Sequence, residues 1–404
     1  MDAAFRFHRK RLQRQRGFSL IEIMVGLVIG MFAILTVMRI FAASETNKRT
    51  TTGGNDAQVN GSVALYGLER DIRQSGYGIS AYNILGCSLS YTTSGDAASV
   101  TLAALAPVTI NPATSLVPAG DANTDTLLVI GGNSASPSEG DATTAATTTT
   151  AYAITTPTAF TAGDRVIAAA TTRPSTCALA LATVKSISGS TLTVVSGTAG
   201  LASGSAVYDL GPTPIARAYA VRNGNLTVCD YTAYNCGSTS YTSTLNSDVW
   251  VPVASNVVSL RAQYGRDITG ISGSTSAMTG VVGSYDQTTP GSSADATTIP
   301  LYCGWSRVIA LRLAIVARSP TYDKDLPARY DAKTLSTLTW DGATANTTTT
   351  STLTTVTPTA AAIDLSGNAN WKYYRYRAVQ ATVPLRNTIW QGSQSTYQGG
   401  SGGC

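Results

Sequence analysis

The chain has 404 residues and only 13 % charged side chains, about half of the share that is usual in soluble domains. Its formal net charge of +5 comes from the N-terminus, because removing the first 17 residues takes away six basic side chains and one acidic side chain and leaves 22 of each. This balance argues against electrostatic steering of the rest of the chain toward nucleic acid. The single histidine, His8, lies in the same segment, so a form without that segment could build neither a Ser-His-Asp site nor a zinc site with histidine ligands.

Residues 18–38 form a 21-residue apolar stretch with one charged side chain, Glu22. A helix of this length spans about 30 Å, the hydrocarbon thickness of a bilayer. The six basic residues before it predict that residues 1–17 stay in the cytoplasm and that the chain after about Phe41 is exported. A secretory signal would have a small-residue cleavage site after the stretch, and none follows here. An acid inside the stretch is costly unless it is paired, so an ordinary anchor has no reason to keep it.

The boundary between the basic leader and the apolar stretch resembles the type IV prepilin signature. Gly17, Phe18 and Glu22 stand where that family has the glycine before the cleaved bond, the phenylalanine after it and an acid at the fifth mature position. The resemblance implies that a prepilin peptidase cuts between Gly17 and Phe18 and that the new amine of Phe18 is methylated. It also implies that Glu22 acts in assembly, by pairing with the Phe18 amine of a neighbouring subunit. The alternative is that Glu22 serves only in recognition by the peptidase.

We divide the N-terminal part into a removed leader at 1–17, a transmembrane helix and stem at 18–54, and a separate amphipathic helix at 55–78. The separation rests on residues 50–54, Thr-Thr-Thr-Gly-Gly, which are poor helix formers. The apolar side chains of the second helix fall on two faces, with Val59, Val63 and Tyr66 on one and Leu65, Leu68 and Ile72 on the other. We predict that one face packs on a sheet and the other on neighbouring helices. A helix buried within its own domain is the alternative.

Three blocks, residues 67–78, 256–267 and 383–387, resemble the minor-pilin family called PilW. The resemblance implies a structural subunit that primes assembly of the type IV pilus or caps its tip, in pilus biogenesis, adhesion and twitching motility. Its partners would be the other minor pilins, the major pilin and a large tip adhesin. Residues 133–160 and 340–363 match no part of this pattern and are interpreted as Thr- and Ser-rich insertions.

Residues 79–390 contain short β-runs separated by Gly, Ser, Thr and Asn clusters, which predicts one large β-rich head. With the long N-terminal helix packed on this head, the fold class is α+β. Asn223-Gly224 lies between two such runs and is a hairpin signal. The apolar run Arg307–Arg318 is expected to be a central strand. Residues 391–404 form a Gly/Ser-rich tail that ends in a cysteine.

The exported part contains all six cysteines, Cys87, Cys177, Cys229, Cys236, Cys303 and Cys404. An even number in an oxidising compartment favours disulfides over metal ligation or free thiols. Cys229 and Cys236 flank a short loop and are the expected local pair. The other four allow three pairings, among which the sequence does not choose. We also expect Cys404 to tether the tail to the head.

One segment imitates the start of a calcium loop, with Asp121, Asn123 and Asp125 at alternate positions. Thr126 and Gly132 stand where the EF-hand pattern needs Gly and Glu, so the pattern fails. We interpret the segment as a polar turn and expect no metal and no cofactor.

These patterns favour a minor type IV pilin rather than an enzyme. It would sit in the inner membrane with its head in the periplasm and then enter the extracellular pilus. The nearest alternative is a minor pseudopilin of a type II secretion system, which shares the N-terminal signature. A membrane-anchored adhesin or carbohydrate-binding module is a further alternative, suggested by the Tyr-, Trp- and Thr-rich head.

Overall fold

The computed structural model describes residues 17–241, 248–269, 278–291, 299–324, 326, 338–340, 361–365 and 370–389. Most of the leader, including His8, and the tail at 391–404 lie outside these residues. The described part is an α+β protein with one long N-terminal helix and a large β-rich head. The chain divides into two compact units, Met1–Thr52 and Gly53–Cys404, and helix α1, Leu20–Gln74, contributes residues to both.

The remaining helices and strands of the described residues all follow α1. The strands are β1 Ser88–Thr92, β2 Ser99–Leu102, β3 Val108–Ile110, β4 Leu127–Gly131, β5 Asp141–Ala142, β6 Ala151–Ala153, β7 Arg165–Ala169, β8 Ala178–Ser188, β9 Thr191–Val195, β10 Ala206–Asp209, β11 Ile215–Arg222, β12 Asn225–Asp230, β13 Val251–Ser255, β14 Val257–Arg266, β15 Ser284–Asp286, β16 Val308–Arg318, β17 Leu338–Trp340, β18 Ala361–Ile363 and β19 Tyr376–Pro384. The short helices are α2 Leu301–Ser306 and α3 Arg386–Ile389, with single 3-10 turns at Pro157–Ala159, Thr239–Tyr241 and Trp371–Tyr373.

These strands form four sheets. The first has the order β2-β1-β8-β7-β10-β5, and the far end of β8 also pairs with β9, which pairs with β6. The second has the order β13-β12-β11-β4-β3, the third β15-β14-β16-β19, and β17 pairs with β18. Every described pair is antiparallel except β1 with β8. Antiparallel sheets joined by short connections are the architecture that many short β-runs predict.

The second half of α1 packs into the core between the second and third sheets. Leu65, Leu68 and Ile72 are buried in one hydrophobic cluster that also contains side chains of β11 and β16. On the opposite face, Val59 and Val63 are each 60 % exposed. The predicted face that packs on a sheet is therefore confirmed. The alternative, a helix buried within its own domain, does not fit the opposite face, which is exposed, and the packing of that face on neighbouring helices stays a prediction.

The expected break at residues 50–54 is also wrong, because α1 is continuous from Leu20 to Gln74. A Cβ on Gly53 would lie 3.2 Å from the Cβ of Ser319, and a Cβ on Gly61 would lie 3.2 Å from Cγ2 of Val379. Glycine allows the helix backbone to approach the head this closely. That packing outweighs the low helix propensity of glycine, which costs about 1 kcal/mol per residue.

Two sequence signals in the head correspond to elements of the sheets. Asn223 and Gly224 both have positive φ, 51° and 69°, and join β11 to β12 in a two-residue hairpin. The apolar run at Arg307–Arg318 becomes β16, which lies between β14 and β19 in the third sheet. Its prediction as a central strand is confirmed.

The described cysteines are all disulfide-bonded. Cys87 pairs with Cys177 and Cys229 pairs with Cys236, across sequence separations of 90 and 7 residues. Cys303 is disulfide-bonded as well. Cys404, which we expect to tether the tail, lies outside the described residues.

Candidate functional site: the start and the outer face of helix α1

The residues around the expected cleavage point precede the first turn of α1. Gly17, Phe18 and Ser19 are non-helical and exposed, and Phe18 is 83 % exposed. A Cβ built on Gly17 would meet nothing within 4 Å. The bond between Gly17 and Phe18 is therefore open to an enzyme, as far as the described residues show.

Glu22 caps the helix that starts beside it. Its Oε2 accepts a hydrogen bond of 3.2 Å from the backbone N–H of Ser19, and the carbonyl of Ser19 accepts the N–H groups of Glu22 and Ile23 at 3.0 and 3.2 Å. A serine followed three residues later by glutamate is the spacing of a capping box. The spacing of Ser19 and Glu22 indicates this local role from the sequence alone, but the role was not predicted.

The first half of α1 exposes apolar side chains on every side. All large apolar side chains from Leu20 to Phe41 are 48–76 % exposed. The described residues contain one helix long and apolar enough to cross a membrane, and none of its most apolar 18-residue window is buried within the chain. Burial of such side chains in an apolar environment stabilises them by about 1.5–3 kcal/mol each, so this surface requires lipid or other apolar helices.

The second half of α1 has an exposed apolar row on its outer side. Val59, Val63 and Tyr66 recur at helical spacing, and Tyr66 is 68 % exposed. Beside them, Gly67 has nothing within 4 Å of a built Cβ. We refer to Val59, Val63, Tyr66 and Gly67 as the outer row. The inner face of this half is already occupied by the head, so the outer row is the surface that remains for a partner.

Near the C-terminal end of α1, Asp71 joins the helix to β11. Its Oδ2 accepts a hydrogen bond of 2.6 Å from Nη1 of Arg217 and another from the hydroxyl of Tyr219. Burial raises the pKa of Tyr219, and the charge of Asp71 raises it further. Burial alone would lower the pKa of Arg217, but its bond to Asp71 outweighs burial and the pKa is raised. The block at 67–78 therefore has a structural role, which is to fix the end of the helix on the second sheet.

The calcium-like segment is a structural turn. Asp121 accepts the backbone N–H groups of Asn223 and Gly224 at 2.9 and 2.8 Å and so holds the β11–β12 hairpin. Asp125 is buried and accepts hydrogen bonds from Asn111, Ala262 and Gln287. In the part of the chain that the structure describes, no group of three or more His, Cys, Asp or Glu side chains is arranged to hold a metal ion.

Comparison with known families gives two matches. Residues 12–38 match the model described as the prokaryotic N-terminal methylation motif, and residues 219–387 match PilW, the type IV pilus-assembly protein W. No curated protein and no solved structure matches the chain significantly. Neither matched description is that of an enzyme.

The N-terminal motif, the single apolar helix and the β-rich head define a pilin-like protein that is anchored in a membrane and associated with the type IV pilus. Within that class the chain resembles a minor pilin of the PilW type. The methylation motif implies processing by prepilin peptidase and assembly with other pilins. Gly17 and Phe18 directly precede α1, and Glu22 lies in its first turn. The described cysteines all follow α1 in the chain, so none of them contributes a side chain to the start or the outer face of this helix.

Proposed function

We propose that the chain is a minor type IV pilin that primes assembly of the pilus or caps its tip. The observation that carries this proposal is the uncovered apolar surface along α1. Its first half is exposed all round, and its second half has the outer row opposite the face that its own head covers. A membrane covers only the first of these surfaces. A bundle of neighbouring pilin helices covers both.

Processing prepares the N-terminus for that bundle. Cleavage between Gly17 and Phe18 turns the Phe18 amide into an amine, which is then methylated and positively charged. A cation and a carboxylate at the same depth in an apolar environment attract each other strongly, because each is costly there without a partner. Pairing Glu22 of one subunit with the Phe18 amine of the next would neutralise both charges and fix the axial register of the helices.

The geometry of Glu22 is compatible with this pairing. One carboxylate oxygen, Oε2, accepts the N–H of Ser19, and no described hydrogen bond involves Oε1. The side chain can therefore keep its cap and still offer the other oxygen to a neighbour. Capping and assembly are two separable roles of one carboxylate.

The size of the head supports a position at the tip. The second unit extends from Gly53 to Cys404, and among the described residues α1 is the one helix long and apolar enough to join the bundle. Repeating so large a head along a fibre would crowd successive copies, whereas a tip holds few copies. Other minor pilins, the major pilin and a tip adhesin are the partners that this position implies, with the leader in the cytoplasm and the head in the periplasm before assembly.

Three single variants in the full chain test the assembly role. Glu22→Gln keeps a side-chain acceptor for the cap but removes the charge, Glu22→Ala removes both, and Glu45→Ala removes an exposed acid elsewhere on α1 that is paired with Arg49. We expect all three to be cleaved, measured by mass spectrometry of the mature N-terminus. Incorporation into sheared pili should fall at least tenfold for both Glu22 variants and remain unchanged for Glu45→Ala.

The outcomes separate the explanations. If Glu22→Gln is incorporated like the wild type, charge pairing is wrong and only the cap matters. If both Glu22 variants retain the leader, Glu22 acts in recognition by the peptidase. A strain that lacks the gene for this chain provides a further test. If that strain keeps its surface pili but no longer secretes type II substrates, the chain is a pseudopilin of a type II secretion system and the proposal of a type IV pilin is wrong.

A further inference from the structure

A polar cavity of about 410 Å³ lies where the end of α1 meets the first and second sheets. Arg70 comes from α1, Arg165 begins β7 and Arg217 lies on β11. Asp71 and Asp230 also line it, so the ionisable side chains carry one excess positive charge. We call this cavity, with these five residues, the arginine pocket.

The arginine pocket offers guanidinium groups that the described residues do not use. Arg217 is bound to Asp71, and Asp230 accepts the amide and hydroxyl of Thr232. Arg70 and Arg165 make no side-chain hydrogen bond or ion pair with any described residue. Two guanidinium groups therefore face a solvent-accessible cavity with their donors available.

We propose that the arginine pocket binds a carboxylate side chain from an acidic segment of a neighbouring protein subunit. A guanidinium presents its N–H donors as a planar fork that matches a carboxylate with two parallel hydrogen bonds. A single excess positive charge suits one carboxylate inside the cavity. Asp71, Asp230 and the negative end of the helix dipole would all oppose a dianionic phosphate.

The character of the pocket favours a protein segment over a small molecule. Sites for small molecules are lined mainly by apolar and aromatic side chains, whereas this cavity is lined mainly by charged and polar groups. A carboxylate on a protein can gain the rest of its binding free energy from contacts outside the cavity. The choice of a pilus subunit as the neighbour rests on the proposed function, but the binding chemistry does not.

Binding is tested on the purified full chain in detergent, by thermophoresis. The probes are the blocked peptide N-acetyl-Glu-Glu-amide, its Gln-Gln counterpart and inorganic phosphate, at matched ionic strength. The variants are Arg70→Gln and Arg165→Gln. The control is Arg73→Gln, because Arg73 is close by on the same helix but is paired with Glu69 and does not line the pocket.

We expect the Glu-Glu peptide to bind the wild type and Arg73→Gln equally, and each pocket variant at least tenfold more weakly. The Gln-Gln peptide should not bind, and a higher salt concentration should lower the affinity of the Glu-Glu peptide. Equal binding to the pocket variants and the wild type would overturn the proposal, and so would tighter binding of phosphate than of the peptide. This measurement does not involve pili. A negative result for the arginine pocket therefore does not bear on the Glu22 experiment, and a negative result for Glu22 does not bear on binding to the pocket.

Discussion

The two halves of α1 share one continuous backbone and differ in what covers their side chains. In the first half, from Leu20 to Phe41, the apolar residues follow one another almost without interruption, and all the large ones are exposed. In the second half they recur at helical spacing, so that Leu68 is 1 % exposed while Val63 on the opposite face is 60 % exposed. An uninterrupted run of apolar residues indicates a helix whose partners lie outside the chain. Apolar residues at helical spacing indicate a helix with one face that the chain itself covers.

The difference assigns separate consequences to the two halves. Substitutions in the first half should change processing, insertion and assembly, and leave the stability of the head unaltered. Substitutions on the inner face of the second half should change the stability of the head. The outer row of the second half should behave like the first half, because its apolar side chains are exposed and no described residue covers them.

The largest expected effect is at the cleavage point. Gly17→Leu should abolish removal of the leader, because a peptidase at the membrane surface must accept an extended backbone with no side chain at that position. The fold should tolerate the change, since a Cβ at Gly17 meets nothing within 4 Å. Mass spectrometry of the N-terminus measures cleavage.

Gly26→Leu is the matched control for this variant. Gly26 also has nothing within 4 Å of a built Cβ, but it lies inside the apolar helix. We expect this variant to be cleaved like the wild type. Normal removal of the leader from Gly17→Leu would contradict the assignment of the cleaved bond.

The next largest effect is on the stability of the head, and it is measured by replacing one leucine from each half of α1. Leu68→Ala should lower the free energy of unfolding of the head by about 2–5 kcal/mol, because a buried leucine leaves a cavity. Leu27→Ala, at a position 69 % exposed, should change it by less than about 0.5 kcal/mol. All five tryptophans lie between Trp250 and Trp390, so their fluorescence during denaturant unfolding in detergent reports on the head. Equal losses for the two variants would contradict the division of α1.

The sequence predicted what depends on neighbouring residues in the chain. The apolar segment and the two faces of the second half follow from spacing alone, as does the hairpin at Asn223-Gly224. The capping box of Ser19 and Glu22 was equally local and was overlooked.

Contacts between distant parts of the chain could not be predicted in this way. The bond between Asp71 and Arg217 joins residues 146 positions apart, and the disulfide of Cys87 and Cys177 was one of three pairings that the spacing allowed. The expected break near Gly53 failed for the same reason. Helix propensity depends on the local sequence. The close approach to Ser319, which makes glycine suitable at position 53, joins residues that are far apart in the chain.

The smallest expected effect comes from substitutions of two glycines in the second half of α1. They test whether close packing against the head is the reason for glycine in this helix. In Gly67→Leu the new side chain enters open space, so the helix should gain about 0.5–1 kcal/mol from replacing glycine. Gly61→Leu gains the same stabilisation from helix propensity. Its Cβ, however, would lie 3.2 Å from Cγ2 of Val379 and 3.4 Å from the Cβ of Ala317. Both neighbours belong to packed strands, so overpacking should give a net loss of about 1–3 kcal/mol. The same denaturant unfolding measures both variants. If Gly61→Leu were as stable as Gly67→Leu, the helix would not need glycine to approach the third sheet, and the continuous α1 would require another explanation.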